Sequence, residues 1–208
     1  MKTALAALAL AALAGTASAA TDTDFFNFGP SLVPFSGSDV LDKFDSAGGT
    51  KLLTGVRLTF ASTLAAKVSV NSLSGPQEVS VGVIGSTSAT DGLFTLPNSI
   101  SGSWVSPTLN AGDFHDFGTI SASDSTTINV PGILWPVYTA TFAGETFGVN
   151  YSGEGLFGVL GGGNATINVI DFGGSGTVTV EYDYRVVPTP GAAALLGLGG
   201  LASLRRRR

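Results

Sequence analysis

The chain has 208 residues, no cysteine, 44% hydrophobic residues and only 12% charged ones. The missing cysteine excludes disulfides, thiol nucleophiles and cysteine-ligated metals, and the chain is too apolar to be disordered. The formal charge of −5 hides an asymmetry: between Ala20 and Pro190 five basic residues stand against all fifteen acids, −10 in total, and so acidic a body repels phosphate backbones and excludes nucleic acid as a partner.

At the N-terminus Lys2 precedes an unbroken apolar run, Ala4 to Ala14, and Ala17-Ser18-Ala19 supplies a small-x-small cleavage pattern. A basic start, an apolar stretch and that site define an export signal, residues 1–19, with the mature chain beginning at Ala20. Signal peptidase is the partner this implies.

Residues 20–186 read as one extracellular all-β domain, an antiparallel β-sandwich of jelly-roll type. Val56, Leu58 and Phe60 alternate with Arg57 and Thr59, and Val68 and Val70 repeat the period. Val79, Val81 and Val83 follow, then the stretches 117–121, 127–130, 147–151 and 165–170. In the last strand Val178, Val180, Tyr182 and Tyr184 take one face against Thr177, Thr179, Glu181 and Asp183. Turn chemistry separates them at Ser74-Gly75-Pro76, Asp91-Gly92, Asn110-Ala111-Gly112 and Gly161-Gly162-Gly163. Glycine, 29 residues, is about twice its usual share. No sustained helical period appears between Ala20 and Pro190.

The C-terminal stretch, residues 187–208, has three parts: Val187-Pro188-Thr189-Pro190, an apolar segment from Gly191 to Leu204, and the cluster Arg205, Arg206, Arg207 and Arg208. As a helix the apolar segment spans about 21 Å at 1.5 Å per residue, short of the roughly 30 Å hydrocarbon core of a bilayer. It suits a transient membrane association rather than a permanent span. The arginines form the stop on the cytoplasmic side.

That order of motif, apolar segment and basic cluster resembles the PEP-CTERM sorting signal of exported bacterial proteins. The resemblance implies an exosortase-like membrane transpeptidase as partner, cutting near Pro188 while the tail holds the substrate in the membrane. Threonine replaces the family's central glutamate at position 189, and Pro-x-Pro keeps the extended backbone a protease cleft requires. The body is similar to choice-of-anchor E domains at Lys43-Phe44-Asp45, at Leu53 to Phe60, at Gly118 to Asp124 and in the closing Thr-Val-Thr-Val-Glu-Tyr strand. This second resemblance implies an architecture and no catalytic residue.

Within the body, chemistry-bearing residues are few. His115, the lone histidine, lies in Asp113-Phe114-His115-Asp116 and reads as a loop residue, with no Gly-x-Ser-x-Gly elbow to complete a triad. Asp39, Asp42 and Asp45, and Asp113 with Asp116, are the clusters to weigh for calcium, but neither has a loop-site spacing. No cofactor and no metal is expected. Glu145 and Glu154 illustrate a carboxylate pair of the kind glycoside hydrolysis needs. Trp104, Trp135 and Tyr138 are the candidate sugar-stacking aromatics, weighed against a role in capping the core. The expectation is a non-catalytic cell-surface or extracellular-matrix protein, sorted at its C-terminus and linked to exopolysaccharide. A carbohydrate-binding module is the alternative, and a hydrolase a third.

Overall fold

Alternation of buried and exposed residues governs nearly the whole chain in the computed structural model, which describes residues 18–161 and 163–187. Ala17, Pro188, Thr189, Pro190, the expected C-terminal helix and Arg205 to Arg208 lie outside the described residues. Among the described residues no helix is long and apolar enough to cross a membrane.

Among the described residues eight strands follow one another: β1 (Ala19–Leu32), β2 (Phe35–Asp42), β3 (Lys51–Ser72), β4 (Val79–Thr90), β5 (Thr95–Val105), β6 (Phe114–Asn129), β7 (Thr146–Gly161) and β8 (Ala165–Val186). They form two four-stranded sheets in the orders β1-β8-β3-β6 and β2-β7-β4-β5, and every pairing is antiparallel. Consecutive strands therefore mostly sit in opposite sheets, the eight-stranded, doubly Greek-key arrangement of a jelly roll. The expected all-β sandwich is the observed fold.

The core lies between the sheets. On β3 the even residues Val56, Leu58, Phe60, Leu64, Val68 and Val70 are buried, while odd residues face outward. Valines of β8 flank them within the same sheet, and those of β4 lie buried on the other sheet. At the waist Phe28 stacks on Tyr151 with ring centroids 4.2 Å apart and touches Phe35 and Phe60 at 5.7 and 6.1 Å. Buried polar groups there tie the sheets together. Ser62 and Thr87 share a hydrogen bond of 2.6 Å, and the Asn98 amide donates to the Phe60 and Asp124 carbonyls and to Ser62 Oγ.

Several strands run on where the sequence reading divides them. The stretches 56–60 and 68–70 are one strand, as are 117–121 with 127–129, Val130 falling just past its end, and 165–170 with 177–184. In β8 the join is Gly173-Gly174-Ser175-Gly176, whose glycines admit neighbours rather than break the strand. A Cβ on Gly174 would stand 2.2 Å from the Phe35 ring, and one on Gly176 would stand 2.6 Å from that of Phe28. Strands β1, β2 and β5 escape the sequence pattern because each buries few large apolar residues, and the inward side of β5 includes Asn98. Pro97 sits on β5, an edge strand, where its missing N–H is tolerated. Among the described residues the single helical element is a seven-residue 3-10 segment, Gly132–Tyr138, in the β6–β7 connection.

Candidate functional site at the terminal edge

Because β1 and β8 are antiparallel neighbours, the start of one lies beside the end of the other. Ala19 pairs with Arg185 and Ala20 with Tyr184. The Val186 N–H donates to the Ser18 carbonyl at 3.2 Å, and the Val187 N–H to the Thr50 carbonyl at 2.8 Å. The expected signal-cleavage residues Ala19 and Ala20 and the first residue of the expected sorting motif, Val187, thus meet at one end of one sheet. Paired Cα atoms in such a ladder are about 4.5–5.5 Å apart, so both chain ends leave the domain at nearly the same place.

The same end holds a ring of acids. Asp22, Asp24, Asp42, Asp45 and Glu145 line a pocket of about 240 Å³ with Lys43 and Tyr182. Lys43 Nζ donates to Glu145 at 2.5 Å, and Thr141 donates to the other carboxylate oxygen through its backbone N–H and its hydroxyl. Hydrogen bonding to Lys43 and then to Thr141 lowers the Glu145 pKa to about 2. Tyr182 donates to the Asp42 carbonyl at 2.7 Å. Burial, reinforced by Asp24, Asp42 and Asp22, raises its pKa above the usual tyrosine value.

The three aromatics picked for sugar stacking do not form a platform. Tyr138 is buried, with its hydroxyl donating to Asp91, and burial before that bond raises its pKa. Trp104 is half-buried on the inward side of β5, its ring folded over Gly102 near Ala122. Trp135 belongs to the 3-10 segment and donates from Nε1 to the Val130 carbonyl at 3.0 Å. From the level of residue 122 to that of 130 an extended strand covers roughly 26 Å, so the two tryptophans pack far apart, Trp104 near the middle of β6 and Trp135 past its end.

The other sequence candidates are also dispersed. Glu154 sits on β7 beside Ser86, nine residues from Glu145 and so roughly 30 Å away along the strand. Hydrolytic carboxylate pairs stand about 5–9.5 Å apart, so this pair is not one. His115 is not in a loop but on β6, paired with Val70 and packed edge-on against Phe117 at 4.6 Å. Asp39, Asp45, Asp113 and Asp116 each accept a nearby backbone N–H. Among the described residues no group of three or more His, Asp and Glu side chains is placed to hold a metal.

What the sequence reading passes over is the outer face of the β1-β8-β3-β6 sheet. With Phe26 and Phe28 buried, the period of β1 turns Phe25 and Asn27 outward, and Phe25 is 57% exposed. The signal was the Phe25-Phe26 doublet, since adjacent strand residues cannot both face the core.

The described body is thus a jelly-roll β-sandwich. No protein-family model matches the chain, and no curated protein matches it. Among solved structures it is similar to the particle of infectious bursal disease virus, at 12% identity over 86% of this chain and 42% of the viral chain, with a TM-score of 0.16. The VP2 subviral particle of that virus gives 14% identity over 89% of this chain and 50% of that one, TM-score 0.16. A family 11 carbohydrate-binding module from Clostridium thermocellum, in complex with a β-1,3-1,4-mixed-linked tetrasaccharide, gives 8% identity over 78% and 95%, TM-score 0.14. The chain spans half the length of these viral chains or less. At such TM-scores the likenesses carry no argument about function.

Proposed function

We propose that this chain is an exported, non-catalytic component of a bacterial cell surface or extracellular matrix. Its jelly-roll body is delivered by the N-terminal signal, and its C-terminal signal is recognised and cut by an exosortase-type transpeptidase. The body then remains associated with exopolysaccharide.

The pairing of Ala19 with Arg185 is the observation that supports this most directly. An export signal and a membrane-held tail tether the two chain ends to the same bilayer during delivery, and a domain whose ends emerge side by side accommodates both without strain. Cleavage before Ala20 removes one pair of the β1–β8 ladder, and cleavage near Pro188 removes none. Both processing events therefore leave the core untouched.

The reading is tested by expressing the chain in a host with an exosortase and in the same host lacking it. The protein is expected at the cell surface in the first and in the inner membrane in the second. Surface delivery that is the same in both would contradict it.

A further inference from the structure

We propose that the outer face of the β1-β8-β3-β6 sheet binds a neutral glycan in a trough that crosses all four strands. The proposal deepens the exopolysaccharide part of the reading above and does not depend on the sorting signal.

The trough has a volume of about 810 Å³, within the roughly 300–1,000 Å³ range of small-molecule sites. Two adjacent rows of the ladder make its floor. One row is Asn27, Thr177, Ala61 and Ser125; the other is Ser175, Thr63 and Ser123. With strands about 4.8 Å apart the first row is roughly 14 Å long, enough for two or three sugar rings end to end. Ala61 at its centre keeps the floor low.

The polar groups are available. Thr177 donates to Asn27 Oδ1 at 2.6 Å, which fixes the amide and leaves Asn27 Nδ2 to point its donors elsewhere. Among the described residues no hydrogen bond engages the hydroxyls of Thr63, Ser123, Ser125 or Ser175. One row away the situation differs: Thr59 and Thr127 are bonded to each other at 3.0 Å.

The chemistry selects the ligand class. Neither row contains a charged side chain. Asp124 borders the trough, but its two carboxylate oxygens accept the backbone N–H groups of Ser99 and Ser125. Hydroxyls and an amide, which both donate and accept, match the hydroxyls of an uncharged sugar. A phosphorylated or carboxylated ligand would need cations here and would be repelled by the acidic body. Phe25 supplies the remaining element. It stands on the same face two residues before Asn27, more than half exposed, an aromatic surface for the apolar face of a pyranose beside the hydrogen-bonding floor.

The test is affinity electrophoresis of the full chain in neutral detergent, through gels containing laminarin, galactomannan, dextran or hydroxyethylcellulose, with alginate as the anionic arm. At least one neutral polymer is expected to retard the protein. The double variant Phe25→Ala/Asn27→Ala should weaken that binding at least about tenfold, and Thr63→Val should weaken it by itself. Ser80→Ala, on the opposite sheet, should leave it within about twofold. Near-UV circular dichroism shows whether each variant keeps its packing. Retardation by alginate alone, by no neutral polymer, or to the same degree in folded trough variants would overturn the proposal. Trimming of the C-terminus is read separately by mass, so a failure here and a failure of the sorting reading are distinguishable.

Discussion

Gly174 lies directly beneath the ring of Phe35, so close that a Cβ would stand 2.2 Å from its Cε1 atom. Gly153, on the facing sheet, bounds the same ring, with a Cβ there 2.3 Å from Cζ. Phe35 is held between two glycines and tilted against Phe28 with ring centroids 5.7 Å apart, so the ring cannot retreat. Gly174→Ala is therefore expected to destabilise the fold by about 1–3 kcal/mol through overpacking. Urea unfolding followed by tyrosine fluorescence measures it, and adding Phe35→Leu should recover part of the loss. A Gly174→Ala variant as stable as the parent would remove this account of the waist.

Acid stability is expected to depend on the Lys43–Glu145 pair. The Glu145 pKa falls from 4.5 to about 2 on folding, so the unfolded chain takes up this proton first as pH drops. The stabilisation is complete above about pH 4.5 and fades as pH falls towards 2. Glu145→Gln should flatten the dependence of the urea midpoint across that window while changing it little in shape at neutral pH. An unchanged acid slope would contradict the assignment.

At high pH the tyrosines act in the opposite sense. Tyr138 and Tyr182 have raised pKa values in the fold, from an ordinary value of 10.0, chiefly through burial. Their contribution is complete below pH 10 and is lost as pH rises above it, since the unfolded chain ionises more readily. Tyr182→Phe, which also loses the bond to the Asp42 carbonyl, should be less stable at pH 8 but show a shallower decline between pH 10 and 11.5. Parallel declines in the variant and the parent would argue against it.

How far the sequence discloses the structure depends on what each face of a strand does. Where a strand alternates valine with small or polar residues, with serine and glycine in β4 and with threonine in the second half of β8, both the element and its buried side are readable. Continuity was harder to read, because Gly174 and Gly176 look like a break and are in fact the space for Phe35 and Phe28. That requirement comes from another part of the chain, so no local window contains it. Tyr138 and Trp104 were legible as core caps or as sugar contacts; their partners Asp91 and Gly102 decide for the core. Phe25 and Asn27 were hidden because β1 buries only Phe26 and Phe28 among its large residues. Once that register is known, their outward position follows.

The adjacency of the two chain ends at Ala19 and Arg185 gives the proposed delivery its structural sense, and the termini of the delivered protein test it. Intact-mass measurement of protein released from the cell surface should find one species that begins at Ala20, ends near Pro188 and lacks Arg205 to Arg208. Recovery only of chains that retain the four arginines, confined to the inner membrane, would contradict the account.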